Sequence, residues 1–468
     1  MDPIVPTGAP RTSGGIRVRL SVMMFLQYFI QGSYLPVASV YVQDALGFSE
    51  IQVGLFGSAL AVGPLFAPFI IGQLVDRHWA TERVLAISHL LGGATMLLLY
   101  FETRVTPFVI LGTIYSILYI PTMMLTNSLA FHHLKDRDNE FPRIRLFGTI
   151  GFVVPAWCVE YFWLSGLDGA ELNTARGIVL AFAGTFGLLM AAYCWTLPAT
   201  PPERKKGTAF APAKVFELLR IRAFLVLVII SFFVAIVHKF YFVLNSPFLK
   251  DILRSGGVKG AWEQRISSIG QISEVLIMVG LGWSIRRLGF KRTLAAGIFA
   301  YMLRCAVFAT AISLEISFPI RMTMILFGQA LHGVCFACFL AAAFMFVDRI
   351  STRDIRGSMQ NLYGTFLIGV GGIVGGISSG LANDWFTTKP GETTFRQILS
   401  LKSKAGVVVS EKNPGWDFKS EFAIRDWTSL WGSCGILALF CLIAFWLSFP
   451  TEPPPEADPT EEAGDNRA

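Results

Sequence analysis

The sequence has few charged residues. Asp, Glu, Lys and Arg together make up 15% of its 468 residues, whereas soluble proteins of this size have about a quarter. Hydrophobic residues make up 53%, and the mean hydropathy is +0.55. A chain of this composition either buries nearly everything in one very large core or has lipid as its outer solvent.

The chain also lacks the residue patterns of common catalytic sites. It shows no Ser-His-Asp constellation, no cluster of metal ligands and no nucleotide-binding fingerprint. We therefore expect no enzymatic activity, no cofactor and no metal. The seven cysteines lie in apolar segments, and their odd number argues against a disulfide framework. Cys335 and Cys338 form a C-x-x-C pair inside an apolar stretch, which we interpret as two small packing residues.

Long apolar stretches dominate the chain instead. Stretches of about 20 mostly apolar residues match the thickness of a hydrocarbon core at helical rise. They predict an all-α membrane protein with twelve transmembrane helices. The first lacks a cleavage site and is interpreted as a retained helix. The predicted spans are 18–42, 52–75, 83–101, 107–131, 145–165, 177–197, 223–249, 265–285, 292–314, 319–347, 357–382 and 428–449.

A segment rich in proline and charge, Leu197–Lys214, separates the sixth span from the seventh and is typical of a linker. The tail is acidic and rich in proline, as disordered segments are. The predicted organisation is an N-terminal six-helix bundle at 1–198, a cytoplasmic linker at 199–222, a C-terminal six-helix bundle at 223–450 and a disordered tail at 451–468.

Lysine and arginine concentrate in alternate loops, such as those holding Arg204, Lys205 and Arg286. This bias places those loops and both termini in the cytoplasm, and the long loop 384–427 outside. The net charge of +7 is explained by lipid head groups, so no nucleic-acid partner is expected.

Two similar loops occupy corresponding positions in the two halves, after the second and the eighth predicted span. They read GQLVDRHWATERVL (Gly72–Leu85) and GWSIRRLGFKRTL (Gly282–Leu294). Such parallel repeats resemble the major facilitator superfamily. The resemblance assigns Asp76 and Arg77 to a charge network that closes the cytoplasmic side; the alternative is ordinary topology-setting charge.

Ionisable residues inside the spans are rare, and in membranes they usually face a cavity, a partner or a pathway. Glu160 lies near the outer end of the fifth span, where we expect water to reach it, so it is set aside. His332 is interpreted as a packed, hydrogen-bonded histidine. The remaining candidates are Arg145, His238, Lys239, Glu274 and Arg304.

Two polar faces stand out among these spans. Arg145, Thr149 and Phe152 follow i, i+4 and i+7 spacing and share one helical face, while Gln271 and Glu274 share another at i and i+3. One half of the chain therefore offers donors and a ring, and the other an amide and a carboxyl. This pairing suits a polar solute with a flat ring, such as a nucleoside, and suits a sugar nearly as well.

The ring of such a solute has two candidate stacking partners, Phe152 and Phe336. Other roles remain open for the charged residues. Arg145 begins the predicted fifth span and has the alternative of reaching the membrane interface. For Glu274 the alternative is a structural role as the partner of Arg145 or Lys239. For Lys239 the alternative is that its long side chain reaches the membrane interface.

Four segments closely resemble those of the nucleoside:proton symporters, a bacterial branch of the major facilitators. The resemblance extends from the first span to the eleventh. The segments are FPRIRLFGTIGF (Phe141–Phe152), LTNSLAF (Leu125–Phe131), GQISE (Gly270–Glu274) and LHGVCF (Leu331–Phe336).

This resemblance implies nucleoside import driven by the proton gradient across a bacterial inner membrane, by a protein that we expect to be a monomer. The implied substrate-binding residues are Arg145, Thr149, Phe152, Gln271, Glu274 and Phe336. We add Lys239, because it and Phe242 fall where the family has glutamine and asparagine; its charge favours a more acidic solute.

The chain departs from the family at Ala337, because family members can carry an aspartate there, a position implicated in proton coupling. This departure and Lys239 leave open a uniporter or exporter of another small polar solute. The predicted mechanism is alternating access by the two halves. Arg145 pairs with Glu274 or with substrate hydroxyls, and protonation of Glu274 releases that pairing.

Overall fold

The computed structural model describes residues 12–69, 75, 78–202, 221–351, 356–388 and 424–451. Asp76, Arg77 and nearly all of the predicted linker, external loop and tail therefore lie outside the described residues. The described chain is helical except for its loops and one short antiparallel pair of strands, β1 (Thr387–Thr388) and β2 (Ile424–Arg425).

Nine helices form the N-terminal half of the described chain. Two of its crossings are broken: the first at Pro36, where a proline removes a helical donor, and the second at residues 60–62. The helices are α1 (Gly14–Tyr34), α2 (Ala38–Asp44), α3 (Glu50–Ala59), α4 (Gly63–Phe69), α5 (Thr81–Phe101), α6 (Val105–His133), α7 (Arg137–Phe162), α8 (Gly169–Ala175) and α9 (Ile178–Tyr193).

Seven helices form the described C-terminal half. Two of its crossings contain a π-helical turn, at Phe336–Ala341 and Thr365–Val370; such turns are rare and frequently occur at functional sites. The helices are α10 (Arg222–Ser255), α11 (Glu263–Ser313), α12 (Phe318–Cys335), α13 (Ala342–Ile350), α14 (Arg356–Gly364), α15 (Gly371–Trp385) and α16 (Trp427–Ser448).

The number of membrane crossings depends on α1 and α11. Ten helical stretches of the described chain are long and apolar enough to cross a membrane. One of them is α11, whose 51 residues contain Gly289 at φ 78°. This left-handed conformation, which glycine adopts readily, divides α11 into two segments. Counting both segments gives eleven such stretches in the described chain, and adding the 21-residue α1, which does not meet that criterion, brings the number of helices of crossing length to the predicted twelve.

The predicted start of the fifth span is wrong. Helix α7 begins at Arg137, eight residues before the predicted start at Arg145. Helical hydrogen bonding continues through a polar segment that the apolar pattern does not include. Arg145 therefore lies inside the helix, more than two turns from its beginning.

The two halves meet closely where α3 approaches α15. A Cβ atom placed on Gly54 would lie 2.6 Å from the Gly376 carbonyl oxygen and 2.6 Å from the Gly380 Cα. The Ser58 hydroxyl donates to the Ile373 carbonyl at 2.8 Å. Because small residues allow helix backbones to approach, these glycines determine how closely the halves contact each other.

An even number of crossings puts both ends of the helical chain at one end of the molecule, which we call the terminal end. The opposite end is called the distal end. It contains the end of α2, the end of α7 and the beginning of α11.

Candidate functional site

A small pocket lies between the two halves, below the distal end. Two of the predicted binding residues, Phe152 on α7 and Gln271 on α11, lie on its wall from opposite halves. The Gln271 Oε1 atom is buried and has no hydrogen-bond partner among the described residues. The complete lining consists of Pro36, Phe152, Tyr241, Phe242, Asn245, Ser246, Ser267 and Gln271.

Arg145 is half-buried and stacks on an aromatic ring of α1. Its Cζ atom lies 4.1 Å from the centre of the Tyr28 ring, a cation–π geometry. Gly148 leaves room for this stack, since a Cβ atom there would lie 2.6 Å from Arg145 Nη1 and 2.8 Å from Tyr28 Cδ2. Thr149, one turn from Arg145, is half-buried and does not line the pocket.

Gly148→Ala tests whether the stacked position of Arg145 matters. The added methyl would displace the guanidinium and press against the buried Tyr28 ring, so we expect a modest loss of thermal stability. A cation–π contact is worth about 0.5–2 kcal/mol, so the apparent KM for nucleoside should rise roughly 2- to 30-fold. Unchanged KM and kcat in uptake assays would show that the stack has no role in transport.

Glu274 is half-buried on α11, and the positive charge acting on its carboxyl is that of Arg145. The two residues do not form the predicted direct pair. Within the described part of the chain, neither one has an ion-pair partner within 4.0 Å. In this conformation Arg145 is held by Tyr28 instead.

Lys239 and Phe336 lie outside the lining of this pocket. The Lys239 side chain extends toward the N-terminal half, where a Cβ atom on Gly57 would lie 3.8 Å from its Cε. It is half-buried and has no hydrogen-bond or ion-pair partner among the residues that the structure describes. Phe336 begins a π-helical turn, and Ala337 after it is fully buried.

Sequence reasoning missed a chain of hydrogen bonds that links three residues of the pocket wall, Tyr241, Asn245 and Ser267, through the buried Gln329. The Tyr241 hydroxyl donates to Gln329 Oε1 at 2.7 Å, and Gln329 Nε2 donates to Asn245 Oδ1 at 2.7 Å. Asn245 Nδ2 in turn donates to the Ser267 hydroxyl at 2.8 Å. These bonds hold α10, α11 and α12 together. The polar pair Asn245–Ser246 within an apolar stretch was the available signal.

A fully buried arginine lies behind Tyr241. The Arg304 Cζ lies 4.2 Å from the centre of the Tyr241 ring, and Nη1 lies 3.0 Å from His332 Nδ1. Its Nε and Nη2 atoms have no partner among the described residues. His238 Nδ1 lies 2.7 Å from the Tyr301 hydroxyl. The expectation of a packed, hydrogen-bonded His332 is confirmed.

The expectation for Glu160 was wrong. Its side chain is fully buried, and it accepts hydrogen bonds from the backbone and side chain of Arg265 in the other half. Its place near a helix end suggested contact with water, but the first turn of α11 covers it.

Known proteins resemble this chain along nearly its whole length. The xanthosine permease of Escherichia coli K12 is 26% identical over 453 residues, covering 94% of this chain and 97% of the permease. The nucleoside permease NupG of the same organism is 26% identical over 407 residues, covering 84% of this chain and 94% of NupG.

Solved structures show the same fold. A mutant of the nucleoside transporter NupG superposes with a TM-score of 0.76 at 23% identity, covering 93% of this chain and 100% of that chain. A D-xylose-proton symporter superposes with a TM-score of 0.66 at 14% identity, covering 95% and 100%. The fold is that of the major facilitators. The model of the nucleoside H+ symporter family matches residues 15–452, and the chain belongs to this family.

Proposed function

We propose that this protein imports nucleosides together with protons by alternating access of its two halves. Membership of the nucleoside H+ symporter family supports this function. The observation that carries it is the convergence of Phe152 and Gln271, from opposite halves, on one pocket. Family membership does not favour the uniporter or exporter considered above.

The substrate-binding roles follow from the chemistry of each side chain. Phe152 stacks on the base, and the unpartnered Gln271 Oε1 accepts a hydrogen bond from it. Arg145 and Thr149, nearer the terminal end on α7, donate to the ribose hydroxyls. Phe336 contributes a second ring when the halves move closer together.

Proton coupling is assigned to Glu274 with Arg145. The position after Phe336, which can hold an aspartate in other family members, is the buried Ala337 here. It therefore supplies no titratable group. Protonation of the Glu274 carboxyl removes its attraction to the Arg145 guanidinium and lets the loaded carrier change conformation. Deprotonation on the other side of the membrane restores that attraction.

The arrangement in the membrane follows from the loop charges. We place the protein in the bacterial inner membrane as a monomer, with both termini and the linker in the cytoplasm and the distal end outside. Asp76 and Arg77 belong to a cytoplasmic gate in this proposal. Nucleosides, protons and lipids are its partners.

Uptake of labelled uridine into proteoliposomes, with and without an imposed pH gradient, tests this function. Symport predicts accumulation above the external concentration only when the external side is more acidic. Uptake that stops at equal concentrations under both conditions would indicate facilitated diffusion. Absence of uptake or binding across a nucleoside panel would remove the proposed substrate class.

A nucleoside with an acidic base is a second candidate substrate, because Lys239 has no acidic partner among the described residues. Xanthosine, the substrate named for one relative, has such a base. A hydrogen bond to a charged group contributes about 1.5–3 kcal/mol. In Lys239→Gln we therefore expect xanthosine to lose roughly tenfold or more in competition against labelled uridine, while uridine itself changes little. An equal effect on both nucleosides would contradict this assignment.

A further inference from the structure

The distal end of α7 carries a carboxylate, that of Glu160, whose hydrogen bonds join the N-terminal half to the C-terminal half. Glu160 Oε1 accepts a hydrogen bond from the Gln264 backbone N–H at 2.6 Å. Its Oε2 accepts from the Arg265 backbone N–H at 3.2 Å and from the Arg265 Nε at 2.8 Å. Both backbone donors belong to the first turn of α11, which begins at Glu263.

The first turn of α11 lacks a cap of its own. Its N-cap residue is Trp262, and no side chain makes the usual capping hydrogen bond from that position. The first backbone N–H groups of a helix have no partner within the helix, and they carry a partial positive charge that favours an anion. A residue of the N-terminal half therefore caps a helix of the C-terminal half.

A second contact joins the same two helices. Trp157 Nε1, on α7, donates to the Ser268 hydroxyl of α11 at 2.9 Å. Trp157 follows Phe152 by five residues, and Ser268 precedes Gln271 by three. This contact therefore lies between one and two turns along α7 from Phe152 and about one turn along α11 from Gln271.

Ion pairs surround this contact and also join the halves. Lys250 Nζ lies 2.6 Å from Asp44 Oδ2. Arg176 Nη2 lies 2.6 Å from Glu263 Oε1, and Arg176 Nη1 lies 3.9 Å from Asp44 Oδ2. Together with Glu160 and Arg265, this cluster contains three acids and three bases, so opposite charges face each other across the boundary between the halves.

We propose that Glu160 is the positioning residue that closes the distal end. Its hydrogen bonds to Gln264 and Arg265, here called the distal latch, fix the separation of α7 and α11 when that end is closed. The latch has to break each time the distal end opens, because its donors and acceptor belong to different halves. This inference rests on the proposed alternating access.

The latch acts on the site through these two helices. While it is formed, Phe152 and Gln271 lie on one pocket, and Arg145 and Glu274 are held within electrostatic reach. When it breaks, the carboxylate and the N–H groups of α11 are hydrated separately. The strength of the latch therefore sets the ratio of closed to open distal ends.

The experiment measures the distance across the distal end in Glu160→Gln. Spin labels at Glu171→Cys in the N-terminal half and Lys259→Cys in the C-terminal half, both exposed positions, report it by double electron–electron resonance. Cys158→Ser removes the one native cysteine that is not buried. Hydrogen bonds to charged groups have a large effect, so we expect the open-to-closed ratio to increase about tenfold.

Glu102→Gln is the matched control. Glu102 pairs with its neighbour Arg104 at 2.9 Å, and both residues belong to the N-terminal half. Hydrogen bonds from Arg104 lower the pKa of Glu102 to about 2, so this carboxylate is ionised in the assay. The same replacement of glutamate by glutamine at this position should leave the distance distribution unchanged.

Two further variants keep the inference falsifiable if Glu160→Gln does not fold. Arg265→Gln removes the side-chain donor, and Glu160→Asp keeps the charge on a shorter stem, so both should increase the open population less. Folded variants with the wild-type distance distribution would overturn the latch. The distance measurement needs no substrate, so it can support the latch even if nucleoside uptake fails. Uptake with unchanged distances in the variants would instead support the proposed function and contradict the latch.

Discussion

In Glu274→Gln, we expect nucleoside to equilibrate across the membrane without accumulating against its gradient. Glutamine keeps the size of the side chain and one oxygen that accepts hydrogen bonds, so substrate binding should change by only a few fold. The amide cannot take up or release a proton. The Arg145 charge, which acts on the carboxylate in the native protein, then loses its proton-dependent partner.

Proteoliposome uptake under an imposed pH gradient measures this effect, and counterflow at equal pH measures binding and exchange. Glu171→Gln is a suitable control, because Glu171 is an exposed acid of α8. We expect it to accumulate nucleoside as the native protein does. Continued uphill uptake in Glu274→Gln would exclude this residue as the proton carrier.

Gly54→Leu should abolish transport while the protein remains folded in the membrane. A Cβ atom at this position meets backbone atoms of Gly376 and Gly380 at 2.6 Å, and backbone cannot move aside as a flexible side chain does. Overpacking costs about 1–3 kcal/mol and occasionally more. Because the collision occurs between the halves, its cost falls on the closed distal end and leaves each half intact.

Thermal unfolding and uptake together measure this prediction. Gly432→Leu, on α16, adds the same side chain where a Cβ atom would meet nothing within 4 Å. This control should transport at the native rate. A Gly54→Leu protein that also transported at the native rate would show that α3 and α15 need not approach this closely during the cycle.

The fold was predictable because apolar run length is a direct consequence of membrane thickness. Its breaks were harder to predict. A single residue, Gly289, interrupts the helix between two crossings. The charged segment around it in the sequence predicts a loop but does not indicate that the interruption is only one residue long. The early start of α7 was missed because hydropathy indicates where lipid ends, whereas helical hydrogen bonding continues beyond it.

The convergence of Phe152 and Gln271 followed from helical spacing combined with the internal repeat. The partner of Glu160 could not be predicted in this way, because it lies 104 residues away in sequence. The place of Glu160 near the end of its span suggested contact with water instead. The Arg304–His332 contact was missed for a similar reason, since it joins separate helices. The transport roles of the predicted site residues stay predictions.

The buried guanidinium of Arg304 has a consequence for the coupling ion. It lies 4.2 Å behind the Tyr241 ring, which forms part of the pocket wall, and no carboxylate in the described chain pairs with it. A cation in the pocket, a sodium ion included, would meet the repulsive field of this guanidinium. A proton differs, because it binds covalently to a carboxyl oxygen and does not occupy the pocket as a free ion. The buried charge therefore agrees with the proton coupling of the family to which the chain belongs.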